Sequence, residues 1–218
     1  MAWYVFALVD APPAGRLGRG LRGPLRARPS AGAYAIVERR DDVPPAELGS
    51  MRAHQAVVSR LSATVPAILP VRFGTVMDDD TLDEALNERD EDLAEALALV
   101  RDRVQFTWRR TRPSAASKVS APAHMPAGSG AAYLRRAAKA ANGAPPAAFR
   151  VLRDRLHPFV VRDKFQPAST GVPDTMYQLI DKTAVARYRA IADRLAAGNP
   201  ALTVSGPWPP FAFAADLL

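Results

Sequence analysis

Residues 68–76 read Ile68-Leu69-Pro70-Val71-Arg72-Phe73-Gly74-Thr75-Val76. The β-branched and aromatic residues ask for a strand. Pro70 has no N–H to give to a ladder, and Gly74 has no side chain to pack. The stretch is therefore expected at an edge, a bulge or a sharp bend, with Arg72 at a position that looks buried. Upstream, Pro44 and Pro45 open a helix at about Ala46. Its Leu48, Met51, Val58 and Leu61 fit one face, and Pro66 stops it. Downstream, Asp78, Asp79 and Asp80 begin a long helix with Thr81-Leu82-Asp83-Glu84 as a capping box. Leu82, Leu86, Leu93, Leu97 and Val100 form its apolar stripe.

Further out, Trp3 to Val9 is apolar on both faces and predicts a central strand, with Gly32 to Val37 as a second. Asp10 to Ser30 is rich in Pro, Gly and Arg and reads as an exposed loop. Val104, Phe106 and Trp108 alternate with Gln105, Thr107 and Arg109, the pattern of a strand with one wet face. Arg112 to Ser129 reads as a flexible excursion, followed by helices over about 131–141 and 146–156, the second burying Phe149, Leu152 and Leu156. Phe159 to Phe165 and Thr175 to Asp181 pair as a hairpin. Thr183 caps a helix that Gly198 and Pro200 end, and Ala201 to Ser205 is a last short strand.

Strands and helices alternate without the regular repeat of a doubly wound sheet, and no strand-to-helix turn carries a phosphate-binding glycine pattern. The expected class is α+β: two ferredoxin-like sandwiches with antiparallel sheets and an extended C-terminal tail. The expected divisions are 1–100, 101–205 and the Pro/aromatic tail 206–218.

The chain has 218 residues, 48% of them hydrophobic and 23% charged, which excludes a disordered or fibrous polymer. It has no Cys, which excludes disulfides, thiolate metal sites and cysteine nucleophiles. No apolar run approaches the ~20 residues of a membrane helix, and no secretory signal is expected. The net charge of +7 is uneven: +5 over residues 1–77, −9 over 78–100 and +11 over 101–218. Basic segments favour polyanions or acidic protein surfaces as partners. Of the 29 basic residues 25 are Arg, so composition alone accounts for much of this.

No catalytic constellation emerges. His54, His124 and His157 have no metal-ligand spacing, and nothing presents a serine nucleophile. His54 reads as a hydrogen-bonded residue at the helix–sheet edge. The aspartates at 78–80 lack the spaced ligands and glycine of a calcium loop. Gly15 to Gly20 lacks the Gly-Lys-Ser/Thr of a P-loop. Arg72-Phe73-Gly74-Thr75 is only a fragment of an RNA-recognition strand. No cofactor or metal is expected.

Two segments carry a resemblance. Leu69 to Thr75 and the ending Gly206-Pro207-Trp208-Pro209-Pro210-Phe211-Ala212-Phe213 resemble the gas vesicle protein L/F family. So do Trp3 to Val9, His54 to Val58 and Gly130-Ala131-Ala132-Tyr133-Leu134, in the same order along the chain. Gln105 stands where the family has Glu, Phe211 stands where it has Tyr, and the first loop is unusually rich in Arg, Gly and Pro. The resemblance implies an accessory or minor structural protein of gas vesicle assembly, in the cytoplasm, with no enzymatic activity. Its implied partners are the hydrophobic shell protein and other gas vesicle proteins, bound by strand addition or by covering an apolar face. Pro70, Arg72, Phe73 and Gly74 are then fold-critical, and Trp208, Phe211 and Phe213 interaction-capable. A basic nucleic-acid-binding module is the second reading. A third, an enzyme of the dimeric α+β barrel kind, rests on fold analogy alone.

Overall fold

The computed structural model describes residues 2–30, 32–111 and 145–214. The expected excursion and first helix of the middle segment lie outside these residues, as do His124 and the Gly130–Leu134 match. The chain divides into two compact units: Met1–Gln105 with Leu179–Lys182 and Pro207–Leu218, and Phe106–Gln178 with Thr183–Gly206.

The first sheet contains β1 (Ala2–Val9), β2 (Leu25–Ser30), β3 (Ala33–Arg39), β4 (Ile68–Pro70) and β5 (Val76–Asp78). It is antiparallel throughout, in the order β2-β3-β1-β4, with β5 also paired to β1. β1 is the central strand its all-apolar sequence demands. The second sheet contains β6 (Arg103–Arg110), β7 (Val160–Gln166), β8 (Asp174–Asp181) and β9 (Leu202–Trp208), in the order β7-β8-β6-β9. It too is antiparallel. The two sheets share one strand order, compatible with the ferredoxin-like expectation.

Among the described residues the α-helices are α1 (Leu48–Ser62), α2 (Asp79–Asn87), α3 (Asp90–Val100), α4 (Ala147–Leu156) and α5 (Val185–Ala197). α1 lays Val57, Val58 and Leu61 on the Tyr4, Phe6, Ile36 and Ile68 side chains of the first sheet. α4 buries Phe149, Leu152 and Leu156, the face its spacing predicts.

Several expectations are corrected. Residues 25–30 form a strand, β2, inside the segment read as loop. Arg26, Arg28 and Pro29 look like loop chemistry, but they are also the chemistry of an edge strand, and Leu25 is buried beneath. The expected single acidic helix is two. α2 packs on β2 and β5 while α3 packs on β4, so one straight rod does not serve both. The cap is Asp78, whose Oδ1 accepts from Thr81 N–H at 2.9 Å. β6 is buried on both faces at its centre, Gln105 and Thr107 included. Thr183 lies in a single 3-10 turn, Lys182–Ala184, and α5 starts after it with Ala184 as its cap. β9 runs on through Trp208, so part of the expected tail is strand.

The crossover from β1 to β2 also differs from a plain loop. β1 and β2 run parallel, separated by β3, so the chain between them must cross a sheet face. Leu17 and Leu21 pack on the core there. The buried Glu38 carboxylate collects the N–H groups of Leu21 at 2.6 Å and Arg22 at 2.8 Å, and that of Gly23. Arg60 on α1 donates to the carbonyl of Arg19 at 2.7 Å.

Candidate partner-binding surface

β4 and β5 are one edge strand interrupted by the bend that Pro70 and Gly74 predict. β1 meets Pro70 at Ala7 and Val76 at Tyr4, so three extra residues bulge outward between the two pairings. Val71 N–H donates to Phe6 O and Thr75 O accepts from Val5 N–H, which closes the bulge on β1. Gly74 turns it at φ +93°, a conformation that favours glycine.

Inside the bend sits a chain of hydrogen bonds. His54 is 2% exposed. Its Nε2 lies 3.2 Å from Val71 O, and its Nδ1 lies 2.8 Å from Tyr4 Oη. A carbonyl only accepts, so Nε2 carries the hydrogen and Nδ1 of the neutral ring accepts from the Tyr4 hydroxyl. The Tyr4 oxygen then accepts from Gly74 N–H at 3.2 Å. Burial holds His54 neutral, lowering its pKa to about 4 against the smaller opposing effect of Val71 O. Burial also raises the Tyr4 hydroxyl, so it stays protonated. Phe6 stacks on His54 at 5.3 Å and Phe73 meets it edge-on at 5.7 Å. These groups bond to one another and present nothing to a substrate; what they supply is position.

Pro70 is buried and Phe73 half-buried within this arrangement. Arg72 is exposed, which corrects the buried position expected for it: the bulge swings it off the sheet into water.

The tail aromatics divide by role. Phe213 is 8% exposed, whereas Trp208 and Phe211 are each 37% exposed. The segment between is fixed by Ala212 N–H donating to Gln105 Oε1 at 2.7 Å. Phe213 N–H closes a turn on Pro210 O. Pro207, Trp208 and Pro209 wall a shallow, mostly apolar groove of about 390 Å³, also lined by Ser59 and Ser62 of α1 and by Ala63 just after it. Lys182 Nζ reaches Val65 O at 3.2 Å and Ser62 O at 3.5 Å, tying down the end of α1 at this groove. The tail thus presents two aromatic side chains on an anchored backbone.

A second apolar surface was not foreseen. Leu48 and Met51, expected in the core, are exposed together with Val43. Val43 stands over the bend, its Cγ1 3.6 Å from where a Cβ on Gly74 would lie. The only sequence signal for this was the Pro44-Pro45 start, which projects the first turn of α1 past the sheet.

The sheet edges are poor templates for strand addition. β2 carries Arg26, Arg28 and Pro29, and the β4–β5 edge is broken by its bulge. β7 carries Arg162 and Lys164, and β9 contains Pro207. Each is a device that blunts an edge.

Comparison with known proteins adds the following. The sequence model of the family described as gas vesicle synthesis protein GvpL/GvpF matches residues 2–215. Gas vesicle protein F of Streptomyces sp. (strain CB03234) is 28% identical over 200 residues, 83% of each chain. Two crystal structures share the fold at 14% identity. The GvpF structure from Anabaena sp. PCC7120 has a TM-score of 0.72 over 98% of this chain and 95% of that one. The GvpF structure from Microcystis aeruginosa has 0.74 over 98% of each.

Proposed function

The chain belongs to the gas vesicle synthesis protein GvpL/GvpF family, and from that membership we propose that it is an assembly protein that binds the hydrophobic gas vesicle shell protein, together with other gas vesicle proteins, in the cytoplasm. It acts by contact and carries out no chemistry of its own. Shell subunits that expose apolar faces and unpaired strand edges associate indiscriminately, so a partner that covers an apolar face keeps them available for ordered growth. The observation that supports this most directly is the pair of half-exposed aromatics, Trp208 and Phe211, on a tail held by Gln105 and by buried Phe213. Aromatics held this way offer large contact area with little further ordering to do on binding. Among the described residues no helix is long and apolar enough to cross a membrane.

The test is capture of the shell protein by the full chain and by a Trp208→Ala/Phe211→Ala variant, with gas vesicle formation in cells as the second readout. Loss of capture by a variant with unchanged circular dichroism supports the reading. Equal capture and normal vesicles reject the tail as the contact.

A further inference from the structure

The strongest unused feature lies in the second unit, and the inference from it goes beyond the role proposed above without depending on it. α4 and α5 pack against each other and turn Phe149, Leu152, Leu156, Tyr188 and Ala192 inward. Together they carry six Arg and two Asp, a net 6 − 2 = +4. Arg153 is held by Asp163, and Arg189 lies over the Phe106 ring. Among the described residues Arg150, Arg155, Arg187 and Arg194 have no carboxylate within ion-pair distance, and all four are exposed. The exposed sides of the two helices thus carry four guanidinium groups with no carboxylate partner.

The first unit carries the opposite array. Residues 78–100 hold ten acidic groups against Arg89, a net −9. Arg28 engages Asp79 and Asp83. Glu84, Glu88, Glu91 and Glu95 are exposed, and the described residues place no cation on them. Glu91 and Glu95 stand four residues apart on α3, and Glu88 caps the end of α2 four residues after Glu84. Like charges at that spacing repel within a helix and lower its stability unless cations approach from outside.

We propose that the arginine face of α4 and α5 docks on the acidic face of α2 and α3 of a second copy of this chain. Charge complementarity names the occupant: each copy carries one face of each sign, on helices whose apolar sides are already buried. The two faces differ, so the contact is head to tail, and a copy bound through one face still offers the other. Such contacts between exposed charges are screened by salt and form at low ionic strength.

Sedimentation velocity of the nuclease-treated full chain at about 50 mM and about 500 mM NaCl tests this. The expected result is concentration-dependent association at low salt and a single-chain mass at high salt. One variant carries Arg150→Glu, Arg155→Glu, Arg187→Glu and Arg194→Glu; a second carries Glu84→Lys, Glu88→Lys, Glu91→Lys and Glu95→Lys. Each alone stays single at low salt, because its two faces now share a sign. An equal mixture regains association, because every face then has a complement. If the charge reversals impair folding, Arg→Gln at the same four positions gives the same loss. A single-chain mass for the wild type at low salt, association retained by either variant, or no recovery on mixing overturns the proposal. So does association that disappears on nuclease treatment, which assigns the arginine face to nucleic acid.

Discussion

Tyr4 Oη lies 2.8 Å from His54 Nδ1, and this contact fastens β1 to α1 while the same oxygen accepts the Gly74 N–H of the bend. Three elements distant in sequence meet at one hydroxyl. Tyr4→Phe keeps the ring packing on Phe6 and Phe73 but strands the buried His54 Nδ1 and the half-buried Gly74 N–H. An unsatisfied buried group costs about 1–3 kcal/mol. The expected loss is about 2–4 kcal/mol in urea unfolding. A loss under half a kilocalorie would mean that the chain of bonds is ornamental.

The neutral imidazole makes stability depend on pH. An imidazolium would present a second N–H to Tyr4, whose oxygen already faces the Gly74 N–H. The folded pKa lies below the ordinary value of 6.5, at about 4. Between those values the unfolded chain binds the proton and the folded chain does not. This stabilisation is complete above pH 6.5 and is lost as pH falls from there through 4, on the order of 3 kcal/mol in all. Acid acts on the whole protein, so the measurement is a comparison. Urea midpoints for the wild type should fall more steeply between about pH 7 and about pH 4.5 than those of His54→Gln. Parallel slopes would remove His54 as the source.

Gly20 is required by close approach. A Cβ there would stand 2.2 Å from Glu38 Oε2, inside the ring of N–H groups that hold this carboxylate. Gly20→Ala should therefore release the crossover between β1 and β2 and leave the rest of the sheet in place. Faster hydrogen exchange and proteolytic nicking confined to residues 10–24 are the expected signs. Gly74→Ala differs, because its Cβ meets Val43 at an ordinary distance and only backbone strain remains, costing about 1–2 kcal/mol.

The legible elements were those whose pattern has one explanation. β1 is apolar on both faces, α4 shows three apolar residues on one helical face, and β7 and β8 flank a Pro-bounded turn. β2 was illegible because Arg26, Arg28 and Pro29 suit a loop and a blunted edge equally. The break between α2 and α3 carries no Gly or Pro and follows from packing on different strands. Leu48 and Met51 continue a periodic stripe, but periodicity does not report where the sheet beneath it ends. The bend at Pro70 and Gly74 was readable from local chemistry. Its engagement with Tyr4 and His54 was not, since those residues are fifty apart and only the fold brings them together.

The tail makes the sharpest separation between holding the fold and meeting a partner. Phe213 is buried and Trp208 and Phe211 are half exposed within the same eight residues. Phe213→Ala opens a cavity where a buried ring was and should cost about 2–4 kcal/mol, on the scale of large-to-small core changes. Trp208→Ala and Phe211→Ala remove side chains already more than a third in water, so each should cost less than Phe213→Ala, about 1–3 kcal/mol. If the tail is a contact surface, partner capture follows the opposite order: it falls most for Trp208→Ala and Phe211→Ala, although Phe213→Ala loses the most stability. Unfolding midpoints and shell-protein capture measured on the same three variants decide the point. A loss of capture that simply tracks lost stability would assign the whole tail to the fold.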